Sequence, residues 1–236
     1  RNGLMDNPLV SNENLNLIGS TEHRGVGRQA VRESVVVLKN ENIFPLSKDL
    51  ETLVVAGKGA DNLGMQCGGW SIDWQGGQGD ITIGTTILDG IKKTVSESTE
   101  IIYSEDGSDI VSNRDNIAVV VIGEDPYTEW FGDKENLDLS DDDINLISDL
   151  KDKGFKVAIL LISGRPLNVA DHIDQWDAFA AIWLPGTEGD GVSDVLFGDF
   201  SSTGRLSFPW PINTEEGSNA CLLYTSDADD DMQCVD

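Results

Sequence analysis

Val119-Val120-Val121-Ile122-Gly123-Glu124-Asp125-Pro126-Tyr127-Thr128-Glu129-Trp130-Phe131-Gly132-Asp133 begins as a β-branched run and stops being one at a glycine. A short unbroken apolar run suits a strand buried on both faces, the kind found in parallel sheets. Open α/β sheets bind ligands beyond the carboxyl ends of their strands, so the loop after Gly123 lies where a site would be built. That loop holds two glutamates among three aromatic rings. Carboxyl groups desolvated by such rings have raised pKa values and serve as acids near neutrality, which suits sugar chemistry. An acidic loop in an acidic protein is also commonly a solvated surface, and the loop alone leaves both readings open.

Outward from this run, strand-like and helix-like segments alternate. Thr52–Ala56, 100–103, 117–122, Lys156–Ile162 and Ala178–Trp183 read as strands, with 117–122 central. Helices are expected over 85–95, 142–153 and 188–197, the second capped by Ser140 with aspartates behind it to complement the helix dipole. The β-then-α rhythm predicts an α/β fold, a doubly wound, mostly parallel sheet with helices on both faces. Upstream, Val26, Ala30, Val31, Ser34, Val35 and Leu38 recur at helical spacing and predict one helix over 21–39, capped by Thr21. Pro45 closes that region, and the polar, Asn-rich first twenty or so residues read as linker.

The charge balance limits the partners. Against 42 Asp and Glu stand 16 Lys and Arg, a formal net charge of −26 in 236 residues, which would repel nucleic acid and anionic membranes. A neutral ligand, adaptation to a salty medium, or an acidic surface without bearing on partners all fit. No apolar run approaches the ~20 residues that span a bilayer. The chain opens Arg1-Asn2-Gly3, with no initiator methionine or signal peptide, and reads as the interior of a longer protein. Cys67, Cys221 and Cys234 form no Cys-x-x-Cys pair, and His23 and His172 are isolated, so neither structural zinc nor another cofactor is expected. Cys67 reads as a small buried residue and not as a nucleophile.

Three loops bear on chemistry. Gly57-Lys58-Gly59-Ala60-Asp61-Asn62-Leu63-Gly64 misses the G-x-G-x-x-G spacing of dinucleotide sites. It continues into Gly68-Gly69-Trp70-Ser71-Ile72-Asp73-Trp74-Gln75-Gly76-Gly77, where two tryptophans sit among glycines. Either they pack beneath the loop to hold it, or at least one offers a flat face to a pyranose ring. Ser163-Gly164-Arg165-Pro166 lacks the G-x-S-x-G elbow of a nucleophilic serine and reads as a turn that positions Arg165. Leu184-Pro185-Gly186-Thr187-Glu188-Gly189 closes a further strand on the same predicted edge.

Taken in order, these motifs resemble glycoside hydrolase family 3. His23-Arg24, Ala30-Val31-Arg32-Glu33-Ser34 and Leu38-Lys39-Asn40 look like its linker helix. Ala60–Gly64, 67–76, 123–133, 163–166, 184–189, Leu196-Phe197-Gly198-Asp199 and Gly204-Arg205-Leu206 look like its second domain. The likeness runs over residues 1 to about 212 and is nearest to exo-acting glucohydrolases of 1,3- and 1,4-linked β-glucans. It implies a linker and linker helix over 1–46, following an N-terminal (β/α)₈ barrel that this chain does not hold, then an α/β sandwich over 47–212 and a tail over 213–236. Residues 221–236 continue no strand or helix and resemble translated adapter DNA; read-through and a genuine acidic tail both fit, and the stretch is set aside from the functional reading.

The resemblance also implies roles. In such enzymes the barrel supplies an aspartate nucleophile and the α/β domain an acid/base glutamate, which maps here to Glu129. Glu124 is the second choice, because related branches carry that glutamate at shifted positions in this loop. Trp74, with Trp70 nearby, maps to the aromatic clamp on the leaving side of the cleaved bond. Tyr127 is a further substrate contact, and with Trp130 would desolvate Glu129. The implied reaction is retaining hydrolysis that releases glucose from non-reducing ends of β-glucan oligosaccharides or β-glucosides, with the chain alone inactive. Secretion or a periplasmic place is favoured by analogy. A non-catalytic sugar-binding or structural flavodoxin-like module is the rival.

Overall fold

In a computed structural model, residues 5–6, 12–111, 116–207, 209–211 and 221–223 are described. In chain order the elements are α1 (Thr21–Ser34), β1 (Val36–Asn40), β2 (Thr52–Ala56), α2 (Leu63–Cys67), α3 (Ile87–Thr94), β3 (Glu100–Ser104) and β4 (Ile117–Gly123). They continue with α4 (Asp141–Asp152), β5 (Lys156–Ile162), α5 (Ala170–Ile173), β6 (Ala178–Trp183) and α6 (Gly189–Leu196). The main sheet runs β1-β6-β5-β4-β2-β3, parallel throughout except for β1 on β6. Chain order reverses between β2 and β4, the switch point of a flavodoxin-like sheet, where ligand sites form.

The central strands read as unbroken apolar runs because both of their faces are covered. On β4, Val119 and Val121 point into one core layer with Val31 of α1, Ile91 of α3 and Val192 of α6. Val120 and Ile122 point into the other, with Leu146 and Leu150 of α4 and Ile173 of α5. The doubly wound arrangement expected from sequence is therefore the one observed. Ser140 caps α4, accepting from the Asp143 amide at 3.2 Å, also as expected.

The expected helix over 21–39 is corrected. It ends at Ser34, and Val36–Asn40 forms an edge strand antiparallel to β6, with Val36 opposite Ala181 and Asn40 opposite Ala178. Positions 31, 35 and 38 fit a helical period, but the run Val35-Val36-Val37 is β-branched and favours the sheet edge. Val35 turns extended, and Val36 and Leu38 then pack into the second layer. Ser20, not Thr21, caps α1 by accepting from the His23 amide at 3.3 Å.

Near the carboxyl end, Trp210 is fully buried and donates from Nε1 to the Leu167 carbonyl at 2.9 Å. Cys221–Leu223, read from sequence as neither strand nor helix, forms a short strand, β8, antiparallel to β7 (Trp210–Pro211). The rest of the tail, with Cys234, lies outside the described residues. Among the described residues no helix is long and apolar enough to cross a membrane.

Candidate active site

The loops that follow β2 and β4 meet at the switch point with their backbones nearly touching. A side chain on Gly69 would collide with the Tyr127 carbonyl and Thr128, and one on Gly76, at φ +76°, with the Gly68 carbonyl and Pro126. Glycines are therefore required at this seam. Across it, Gln75 Oε1 accepts from the Thr128 amide at 3.1 Å. The seam explains why a tryptophan-bearing loop can be so rich in glycine and still hold a shape.

On the outer side of the seam the two loops build one aromatic platform. Trp74 meets Trp130 at 5.5 Å and 64°, and Phe131 at 5.8 Å and 85°, both edge-on. Trp130 and Phe131 stack at 5.8 Å and 29°. Trp74 stays 38% exposed, Trp130 61% and Phe131 58%, so apolar faces remain open to solvent. Trp70, 68% exposed, stands on the same loop at a positive φ of 59°. Large open patches of this kind mark ligand or partner surfaces.

The two glutamates have opposite surroundings. Glu129 begins a 3-10 turn, Glu129–Gly132, at a φ of +51°, and is exposed beside the platform. The Glu124 side chain is only 7% exposed and is ion-paired with Arg165, Nη2 to Oε1 at 2.6 Å. It also accepts from Ser163 Oγ at 3.0 Å and the Tyr127 hydroxyl at 3.3 Å, with Lys134 Nζ 3.5 Å away. Burial alone would raise the Glu124 pKa, but the hydrogen bonds from Arg165 and Ser163 and the charges of Arg165 and Lys134 outweigh it and hold the carboxyl below its ordinary value. The Glu124 carboxylate is thus committed to Arg165 and Ser163.

Tyr127 packs against Arg165 and Glu124. Its ring lies 4.7 Å beneath the Arg165 guanidinium and its hydroxyl reaches Glu124, while Trp130 turns to Trp74 and Phe131. Glu129 itself is exposed. A cleft of about 430 Å³ opens beside Lys58, Glu124, Tyr127 and Lys134, but neither Glu129 nor the tryptophans line it. Cys67 is half-buried and free, and burial pushes its thiol up, away from a nucleophile's range. Among the described residues no group of His, Cys, Asp and Glu is placed to hold a metal ion. Sequence reasoning found the loops and Arg165 but not what Arg165 grips, and it passed over Phe131; the aromatic spacing within 127–131 was the available signal.

Residues 35–232 match the glycosyl hydrolase family 3 C-terminal domain. The chain belongs to this family.

Its family 3 relatives are longer. A lysosomal beta glucosidase from Dictyostelium discoideum is 29% identical over 236 residues, covering 90% of this chain and 29% of that protein. A periplasmic beta-glucosidase from Salmonella typhimurium is 28% identical over 225 residues, covering 80% of this chain and 28% of its own length. Among solved structures, the exo-1,3/1,4-beta-glucanase from a Pseudoalteromonas species superposes with a TM-score of 0.81 at 37% identity, over 90% of this chain and 29% of that one. A mutant beta-glucosidase from Listeria innocua, solved in complex with laminaribiose, gives 0.76 at 28%, over 90% and 30%. The chain thus spans about three-tenths of the length of the relatives it matches.

Proposed function

We propose that this chain is the acid/base-bearing domain of a retaining β-glucosidase or exo-β-glucanase, and that its catalytic group is Glu129. One observation carries the reading: an exposed carboxylate held at positive φ, beside an aromatic platform, at the switch point of the sheet. Non-glycine residues persist in that region only where their surroundings impose it, and such positions cluster at functional sites. The family resemblance and the names of the relatives support the same activity.

Retaining hydrolysis needs two carboxyl groups about 5–5.5 Å apart. In this reading an aspartate of an N-terminal barrel, outside the chain, attacks the anomeric carbon. Glu129 gives its proton to the glycosidic oxygen as that bond breaks, then as a carboxylate takes a proton from the water that releases the sugar. Docking of the barrel supplies the desolvation that the lone chain lacks. Trp74, with Trp70, holds the sugar on the leaving side of the broken bond. The ligands are β-glucosides and β-glucan oligosaccharides, whose neutrality suits an acidic surface.

The test is Glu129→Ala in the full-length protein. Turnover of laminaribiose, whose leaving group needs protonation, should fall by roughly 10²–10⁴-fold. An activated aryl β-glucoside should lose far less, and added azide should restore turnover by forming the β-glucosyl azide. Equal losses on both substrates without azide rescue would remove Glu129 from the role.

A further inference from the structure

Glu129 holds a left-handed conformation that costs an L-residue with a side chain about 1–2 kcal/mol, so something must pin the turn that carries it. Within the turn, the Phe131 amide donates to the Thr128 carbonyl at 3.2 Å and the Asp133 amide to that of Trp130 at 3.1 Å. These bonds shape the turn without tying it to the sheet. Gln75 holds its start through the Thr128 amide, and the tie at its far end comes from Arg165, on the loop after β5, whose Nη1 donates to the Gly132 carbonyl at 2.6 Å. The same guanidinium is forked onto Glu124, through Nη2 at 2.6 Å from Oε1 and Nε at 3.2 Å from Oε2. Glu124 is in turn rooted in the sheet, its amide donating to the Ile162 carbonyl of β5 at 3.0 Å and its carboxylate held by Ser163. Gly132 lies so close under the Tyr127 ring that a Cβ there would strike it, so the far end of the turn is held from a second side.

We propose that Glu124 and Arg165 form a positioning clamp, which fixes the Glu129 turn against the carboxyl ends of β4 and β5. The clamp rests on the reading of Glu129 as the acid/base, and it gives Glu124 a role distinct from proton transfer. A guanidinium suits this place because its rigid planar fork meets the two carboxylate oxygens and the carbonyl in fixed directions, a geometry the compact ammonium of lysine does not reproduce.

Glu124→Gln and Arg165→Lys in the full-length protein test the clamp. Both should lower turnover of laminaribiose by roughly 10²-fold, since displacement of an acid by about an ångström costs that much, and should lower turnover of an activated aryl β-glucoside by a few-fold at most. Azide should rescue neither. Hydrogen exchange at amides 129–133 should quicken in both variants while the strands keep their protection, a readout that stands even if Glu129→Ala shows another residue to be the acid. Unchanged exchange in that segment would overturn the clamp. Equal losses on both substrates with a lowered melting temperature would reduce the pair to a fold contact, and azide rescue of Glu124→Gln would make Glu124 the proton donor.

Discussion

Trp74 is the hub of the platform, edge-on to both Trp130 and Phe131, yet still partly exposed. An edge-to-face triad fixes ring orientation at little entropic cost, since two of the three rings already stack on each other. Trp74→Ala in the full-length protein should therefore raise KM for β-glucan oligosaccharides by roughly tenfold, about 1.4 kcal/mol, and leave a small aryl glucoside nearly unaffected. The ratio of kcat/KM for the two substrates is the measurement. Similar losses on both, together with a fall in melting temperature, would make Trp74 a packing residue. The loops that carry Glu129 and Trp74 were legible in the sequence, because each follows a strand, while the roles proposed for the two residues come from the family resemblance. The partners of Glu124 were not: its burial depends on Arg165, which is 41 positions away and comes near only when β4 and β5 pair.

Among the elements, α1 and β1 show most plainly where sequence reading stops. Helical spacing and β-branching coexist over 31–38, and the choice between them is made by the free edge of β6, which no local pattern reveals. α1 itself is fastened to α6 by charge. Arg28 and Arg32 converge on the buried carboxylate of Asp194 at 2.6 Å each, and Arg24 meets Glu188 at 3.3 Å. Burial raises the Asp194 pKa, but the hydrogen bonds and charges of the two arginines outweigh it and leave the carboxyl below its usual value. A depressed carboxylate contributes stability above its unfolded pKa, about 4, and loses it as pH falls through the lower folded value. Asp194→Asn should accordingly cost about 2 kcal/mol at pH 7. Urea unfolding at pH 7 and again near pH 3 should show the gap from wild type shrinking in acid; a gap that is constant with pH would contradict the assignment. The alternation from β2 onward was legible because each central strand is apolar on both faces, a pattern that survives without knowledge of neighbours.

For the molecule as a whole, a two-layered core stands beside an open aromatic surface that, in the proposed reading, is half of a site. The strands and helices close around two apolar layers, while the aromatic platform and Glu129 lie open to solvent. Two facing surfaces contribute about 7–11 kcal/mol to lowering a barrier by positioning alone, and a retaining mechanism with one carboxylate has no attacking group. The 236-residue chain alone should therefore fold, as judged by a cooperative melt, and hydrolyse neither aryl β-glucosides nor laminaribiose. Turnover by the purified chain that Glu129→Gln abolishes would mean that both groups lie within it. The division of labour is tested most directly by trapping the glycosyl-enzyme. The full-length protein is incubated with an activated 2-deoxy-2-fluoro-β-glucoside, digested, and the modified peptide located by mass spectrometry. The expected result is one adduct, on an aspartate outside these 236 residues; an adduct on any carboxylate within them would contradict the split site.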